Sequence, residues 1–196
     1  MKKFPTVALA LIALLALCTS VRGQIFSANL SGINEVPPVA SNGTGFALVT
    51  LSLATHTLTI HAEFSNLTGT VTNSHIHTPA PPGTNAGIAT QTPTFSGFPN
   101  GVTSGTYDRT FDTLALTTYN PSFVTANGGT AASAETAFAN GLRAELAYFN
   151  IHSTFATGGE IRGQLRAVPE FGSTGAFFAL ALAGLFCFRQ RARAIA

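Results

Sequence analysis

Residues 24–167 alternate between apolar and polar positions and are broken repeatedly by Gly and Pro. Residues 58–64 show this most clearly, because Leu, Ile, Ala and Phe take every second position and Thr, His and Glu take the others. A period of two places alternate side chains on opposite faces of an extended chain and therefore predicts a half-buried β-strand. Further predicted strands cover residues 25–30, 46–53, 71–77, 103–111, 144–152 and 160–165, with a shorter one over 88–92.

One segment departs from the strand pattern. Residues 130–140 are rich in Ala, with Thr130 or Ser133 as the N-cap and Gly141 suited to the position after the last turn. The sequence therefore predicts an all-β domain built as an antiparallel β-sandwich of the immunoglobulin-like or Greek-key type, with one short crossover helix. A flattened barrel is the alternative that the same pattern leaves open.

The N-terminus has the pattern of an export signal. Lys2 and Lys3 precede an apolar run over residues 7–18, which is too short to span a bilayer but has the length of a signal-peptide core. We predict a signal peptide over residues 1–23, cleaved by signal peptidase between Gly23 and Gln24. Lipoprotein processing at Cys18 and a retained membrane helix are the alternatives.

The C-terminal residues 168–196 combine a short motif, an apolar segment and a basic end. The motif is Val168-Pro169-Glu170, the predicted transmembrane segment covers 172–188, and arginines follow at 189, 191 and 193. This arrangement resembles bacterial PEP-CTERM sorting signals, although Phe171 stands where the common form has Pro. The resemblance implies anchoring in the inner membrane, recognition by an exosortase-type protease, and delivery to the cell surface or the extracellular space. An ordinary membrane anchor is the alternative.

Composition narrows the classes of function. Both Cys residues, Cys18 and Cys187, lie in the terminal segments, so the intervening domain contains no disulfide, thiolate metal site or Cys nucleophile. Between residues 24 and 168, seven acidic residues outnumber four Arg. This balance argues against nucleic-acid binding, which requires a basic surface.

Three His residues are candidate metal ligands. His75 and His77 are two positions apart on a predicted strand and therefore share a face. His152 follows Tyr148 and Asn150 on one face of a later strand and offers a third ring nitrogen. Three imidazoles with an open coordination position suit Zn or Cu. A hydrogen-bonded network without metal is the alternative interpretation.

Charged residues near the ends of the domain predict structural ion pairs. Arg162 can pair with Glu160, two positions away on the same strand, or with Glu35 across the sheet. No G-x-S-x-G elbow and no second carboxylate suited to acid–base work is recognisable, so we expect a protein that is not an enzyme.

Three motifs occur in a fixed order along the chain. They are LSGINEVPPV at 30–39, HIH at 75–77, and AYFNIHS at 147–153 followed by GGEIRGQL at 158–165. Together they resemble chordin-type (CHRD) domains over about residues 25–166, and the resemblance implies an all-β sandwich.

Taken with the two terminal signals, these features predict an exported structural or binding module of the cell surface or exopolysaccharide matrix. Its expected partner is an exopolysaccharide or an extracellular protein. A Zn- or Cu-binding extracytoplasmic protein is the alternative.

Overall fold

The computed structural model describes residues 23–169. Within this range the chain forms eight β-strands and two α-helices. In chain order they are β1 Gln24–Ser31, β2 Thr44–Ser52, β3 Thr57–Ser65, β4 Val71–His77, β5 Gly105–Asp112, α1 Pro121–Ala126, α2 Ala131–Arg143, β6 Tyr148–Ser153, β7 Ile161–Gln164 and β8 Arg166–Ala167.

The strands form one curled antiparallel sheet in the order β4-β6-β7-β1-β2-β3-β5, with β8 also paired to β1. The mostly β, antiparallel prediction is confirmed, but the strands form one curled half-barrel sheet and not a sandwich of two separate sheets. The reason lies in β1, which pairs with β2 along its whole length. Its other edge takes β7 at Ser31 and β8 at Phe26 and Ser27, so the two halves are hydrogen-bonded into one sheet.

The apolar core combines residues from the strands of this sheet with one face of α2. Ala134, Phe138 and Leu142 follow one another at intervals of four residues and are fully buried. The helix begins at a reciprocal cap, in which the Ser133 backbone N–H donates to the Thr130 hydroxyl at 3.1 Å. The Thr130 N–H donates in turn to the Ser133 hydroxyl at 3.2 Å.

The helical content differs from the prediction in two respects. The structure has a second short helix, α1, which begins with Pro121 behind an Asn120 side-chain cap. Gly141 lies inside α2 and does not end it, because its role is spatial: a Cβ at this position would collide with the Thr78 side chain. Glycine therefore lets the helix approach the chain just after β4.

The chain enters and leaves the described domain at neighbouring positions. Gln24, at the predicted cleavage point, is the first residue of β1, and the Val168 N–H donates to the Ile25 carbonyl at 2.9 Å. The remainder of the predicted signal peptide, Glu170 and the segment 172–188 lie outside the described residues. No helix within residues 23–169 is long and apolar enough to cross a membrane.

Candidate metal centre

Strands β4 and β6 place a polar face opposite the apolar core. The strands are antiparallel, with His75 opposite Asn150 and His77 opposite Tyr148. Ile76 belongs to the core cluster, so its neighbours on either side project from the opposite face of the sheet. We call this second surface the polar face; its members are His75, His77, Tyr148, Asn150 and His152, all at most 8% exposed.

The three His residues converge on this face as the sequence predicted. One ring nitrogen from each lies within 4.8 Å of the others, and His75 Nδ1 is 3.4 Å from His152 Nε2. Two nitrogens bound to one ion at about 2.0–2.1 Å lie about 3.3–3.4 Å apart at a tetrahedral angle and at most about 4.1 Å apart when opposed. The cluster is therefore within a small inward movement of coordinating geometry.

The outer nitrogen of each ring donates to a backbone carbonyl. The three contacts are His75 Nε2 to Pro93 O at 2.7 Å, His77 Nδ1 to Ala86 O at 3.0 Å, and His152 Nδ1 to Thr157 O at 3.0 Å. A carbonyl oxygen only accepts hydrogen bonds, so each of these nitrogens carries the ring proton. The tautomer of every ring is thereby fixed by its backbone partner.

Burial keeps the three rings neutral. Desolvation lowers the pKa of His75 and of His77 to about 4, against the opposing effect of their carbonyl partners and with a smaller lowering contribution from His152. Burial likewise lowers the pKa of His152. Each neutral ring has a single N–H, already directed outward, so the inward nitrogens all present lone pairs.

The contact between His75 Nδ1 and His152 Nε2 is therefore not a hydrogen bond. It brings two acceptors to 3.4 Å. The third inward nitrogen, His77 Nε2, is buried and has no hydrogen-bond partner. Hydrogen bonds from outside the cluster thus orient the rings, while no donor among the described residues bonds to the three inward nitrogens.

Tyr148 and Arg162 support the cluster from the side. The Tyr148 ring stacks on the His77 ring with centroids 4.7 Å apart and an interplanar angle of 5°. The Arg162 guanidinium carbon lies 4.6 Å from the Tyr148 ring centroid. The Ala86 N–H donates to the Tyr148 hydroxyl at 3.2 Å, so Tyr148 and His77 are held by the same loop residue.

Arg162 also meets Glu35, one of its two predicted partners. Arg162 Nε lies 3.7 Å from Glu35 Oε2 and donates to the Asn34 carbonyl at 2.6 Å. Burial raises the pKa of Glu35 to about 7, although Arg162 lowers it. Glu35 Oε1 is buried without a partner.

Glu160, the other predicted partner, does not contact Arg162. It is fully buried and accepts from the Ser41 and Ser153 hydroxyls and from the Thr68 and Gly69 N–H groups. Burial opposes ionisation of Glu160, but these four donors outweigh it and hold its pKa below the usual range. The residue is therefore an ionised acceptor that joins four segments of the chain.

The sequence pattern places Asn150 on the same strand face as His152 but assigns it no role in the site. It lies beside His75 across the strand pair and has a buried Oδ1 without a partner. A Cβ at Gly159 would lie 2.6 Å from Asn150 Nδ2 and 2.7 Å from Glu35 Oε1, so only glycine permits this packing. The period of two over residues 148–152 was the available signal, since it places Asn150 on the same face as His152.

The other His residues of the domain lie apart from this cluster and pair with carboxylates. His56 Nδ1 is 3.0 Å from Glu135 Oε1, and His61 Nδ1 is 2.7 Å from Asp108 Oδ1. Both imidazoles are partly exposed, so substitutions at these positions provide controls for substitutions in the buried cluster.

The fold and the site define a mostly β, antiparallel domain with a curled sheet and a buried group of three His residues. The sequence profile of the CHRD domain matches residues 26–165. The chain therefore belongs to the CHRD domain family. Comparison with curated proteins and with solved structures gave no match.

Proposed function

We propose that this protein is an exported, non-enzymatic β-domain that binds one transition-metal ion, Zn or Cu, through His75, His77 and His152. The ligand atoms are His75 Nδ1, His77 Nε2 and His152 Nε2. The observation that carries the proposal is the convergence of three imidazole lone pairs. The single N–H of each ring already donates to a backbone carbonyl outside the cluster.

A cation is the simplest partner for this centre. Three acceptors facing one another repel, and a buried acceptor without a donor costs about 1–3 kcal/mol. Metal-binding imidazoles usually donate their second N–H to a carbonyl or carboxylate, which fixes the ring for the ion. All three rings have such a carbonyl partner, and nitrogen donors of this kind suit Zn and Cu.

The burial of the site supports binding over catalysis. His75, His77 and His152 are 2%, 7% and 8% exposed, which leaves little room for a substrate beside a bound ion. The ion would tie β4 to β6 and hold both to the two loops that supply the carbonyl partners.

The extracytoplasmic location rests on independent features. The CHRD family match supports a secreted β-domain module, and residues 24–167 form it without Cys. The sequence features of both termini favour export, transient anchoring and release by an exosortase-type protease. An exopolysaccharide or an extracellular protein is the proposed partner at the cell surface.

Cell fractionation tests the location. The full chain should be found in the membrane and extracellular fractions, and a chain ending at Ala167 should lose the membrane-bound pool. A product confined to the cytosol in both cases would contradict the proposal.

Metal analysis tests the function. The full chain is purified, incubated with zinc or copper salts, desalted and analysed for bound metal. We expect about one ion per chain, retained in His61→Ala, whose imidazole is exposed and pairs only with Asp108. The double variant His75→Ala/His77→Ala should retain almost none. Equal metal contents in the wild type and the double variant, with circular dichroism showing both folded, would refute metal binding at this site.

A further inference from the structure

We infer that the three-His site selects Cu(I) over divalent ions, so that this is a cuprous-copper site. The inference rests on the proposed metal-binding function and narrows it to one ion and one oxidation state. It is carried by the charges around the polar face and by the number of ligands that the face supplies.

The ligands themselves supply no negative charge. All three rings are neutral, and among residues 23–169 their hydrogen-bond partners are backbone carbonyls. A cationic side chain lies nearby: Arg162 is opposite Asn150 in the sheet and contacts the ring of Tyr148. Its carboxylate neighbour is Glu35, whose Oε2 lies 3.7 Å from Arg162 Nε. Neutral ligands therefore leave the charge of a divalent ion uncompensated, and the guanidinium that contacts Tyr148 adds positive charge to the same face.

Burial makes this charge decisive. The penalty for moving an ion from water into a low-dielectric interior rises with the square of its charge, so a divalent ion pays about four times that of a monovalent ion of similar size. The ligand rings are at most 8% exposed, and solvent therefore offers little screening. Repulsion by Arg162 is also twice as large for the divalent ion.

The ligand count points the same way. Three imidazoles leave Zn²⁺ one ligand short of its usual four, so a water or an anion would have to enter the buried site to complete it. Cu(I) is satisfied by three nitrogen donors. The 3.4 Å separation of His75 Nδ1 and His152 Nε2 fits two ligands spaced at a tetrahedral or trigonal angle around one ion.

Competition between chelators tests the selectivity. The full chain is titrated without oxygen against bicinchoninate for Cu(I), with ascorbate present, and against 4-(2-pyridylazo)resorcinol for Zn²⁺. We expect Cu(I) to be held at least a hundredfold more tightly than Zn²⁺. Binding of Zn²⁺ as tightly as Cu(I) would overturn this inference and leave the proposed function intact. Binding of neither ion would overturn both.

A nearly isosteric charge change tests the cause. Asn150→Asp places a carboxylate next to His75 and opposite Arg162, so the ratio of Cu(I) to Zn²⁺ affinity should fall by roughly tenfold to hundredfold. Asn140→Asp, on the exposed side of α2, adds the same charge away from the site and should leave the ratio unchanged.

A second acidic variant is available should Asn150→Asp fail to fold. Asn73 is half-buried and lies opposite His152, so Asn73→Asp should shift the ratio in the same direction. An unchanged ratio in a folded variant of either kind would show that local charge does not set the selectivity and would overturn the argument.

Discussion

Two buried polar clusters lie on opposite faces of β6 and differ in how their hydrogen-bonding capacity is met. Ser153 projects to the cluster around Glu160, where two hydroxyls and two backbone N–H groups converge on one carboxylate. Its neighbour His152 projects to the other face, where three imidazole lone pairs meet without a donor. Glu160 and the three imidazoles are all at most 8% exposed.

The difference separates a structural role from a binding role. A closed cluster such as that of Glu160 is complete within the chain and stabilises the fold. The three-His cluster is incomplete within the chain, although its rings are well oriented. An unmet acceptor group, and not burial of polar residues as such, is what marks the candidate site.

The largest expected effect is the pH dependence of the metal-free protein. Folding lowers the pKa of His75 and His77 from 6.5 to about 4, so below pH 6.5 the unfolded chain binds protons that the folded chain excludes. Stability is therefore lost as the pH falls from about 6.5 to about 4, by about 3 kcal/mol for each ring. Urea unfolding with a chelator present, at several pH values in this window, measures it. A flat profile would contradict neutral buried rings.

Glu35 acts in the opposite direction and sharpens the test. Its pKa is raised on folding from 4.5 to about 7, so its contribution to stability is present at low pH and is lost as the pH rises through this window. Glu35→Gln removes that opposing contribution. The variant should therefore gain stability with pH more steeply than the wild type between pH 4.5 and 6.5, in the same urea series.

The next largest effect is expected in the closed cluster. Glu160→Ala leaves the Ser41 and Ser153 hydroxyls and two N–H groups without their acceptor. We expect it to lower the free energy of unfolding by about 3–5 kcal/mol. Chemical denaturation at pH 7 measures the loss. A change below about 1 kcal/mol would show that the cluster does not stabilise the fold.

The matched substitution in the open cluster should cost less stability and remove metal binding. His77→Phe keeps the stacking on Tyr148 and loses one hydrogen bond to the Ala86 carbonyl, so we expect a loss of about 1 kcal/mol in the metal-free protein. Saturating metal should raise the melting temperature of the wild type and leave the variant unchanged. Equal stabilisation of both proteins would place the metal elsewhere.

The smallest effect is expected at an exposed imidazole. His61 pairs with Asp108, whose side chain is 71% exposed. His61→Ala should change the free energy of unfolding by less than about 1 kcal/mol and leave metal affinity unaltered. A loss of metal binding here would mean that the buried cluster alone does not define the site.

Local patterns predicted most strands but not how they assemble. The alternation over residues 58–64 falls within β3, and α2 follows its predicted start closely. The merging of two sheets through β1 depends on pairing between Ser31 and Arg162, residues far apart in sequence, which no local pattern specifies. The second helix was predictable in principle, because Asn120-Pro121 is a capping residue followed by a first-turn proline.

The alternation of side chains along each strand made part of the site predictable. A spacing of two placed His75 beside His77 and His152 beside Asn150. The sequence could not assign the tautomers, because they are set by carbonyls of Pro93, Ala86 and Thr157 on two loops. The ion pair between Glu160 and Arg162 does not form for a similar reason, because each side chain contacts partners that are distant in sequence.

The position of the ring protons tests the central claim most directly. Long-range ¹H–¹⁵N correlation spectra of the metal-free protein at neutral pH distinguish protonated from unprotonated imidazole nitrogens. We predict protons on His75 Nε2, His77 Nδ1 and His152 Nδ1, with three bare nitrogens facing one another. A proton on any of those inward nitrogens would show a closed hydrogen-bonded network and would contradict a preformed metal site.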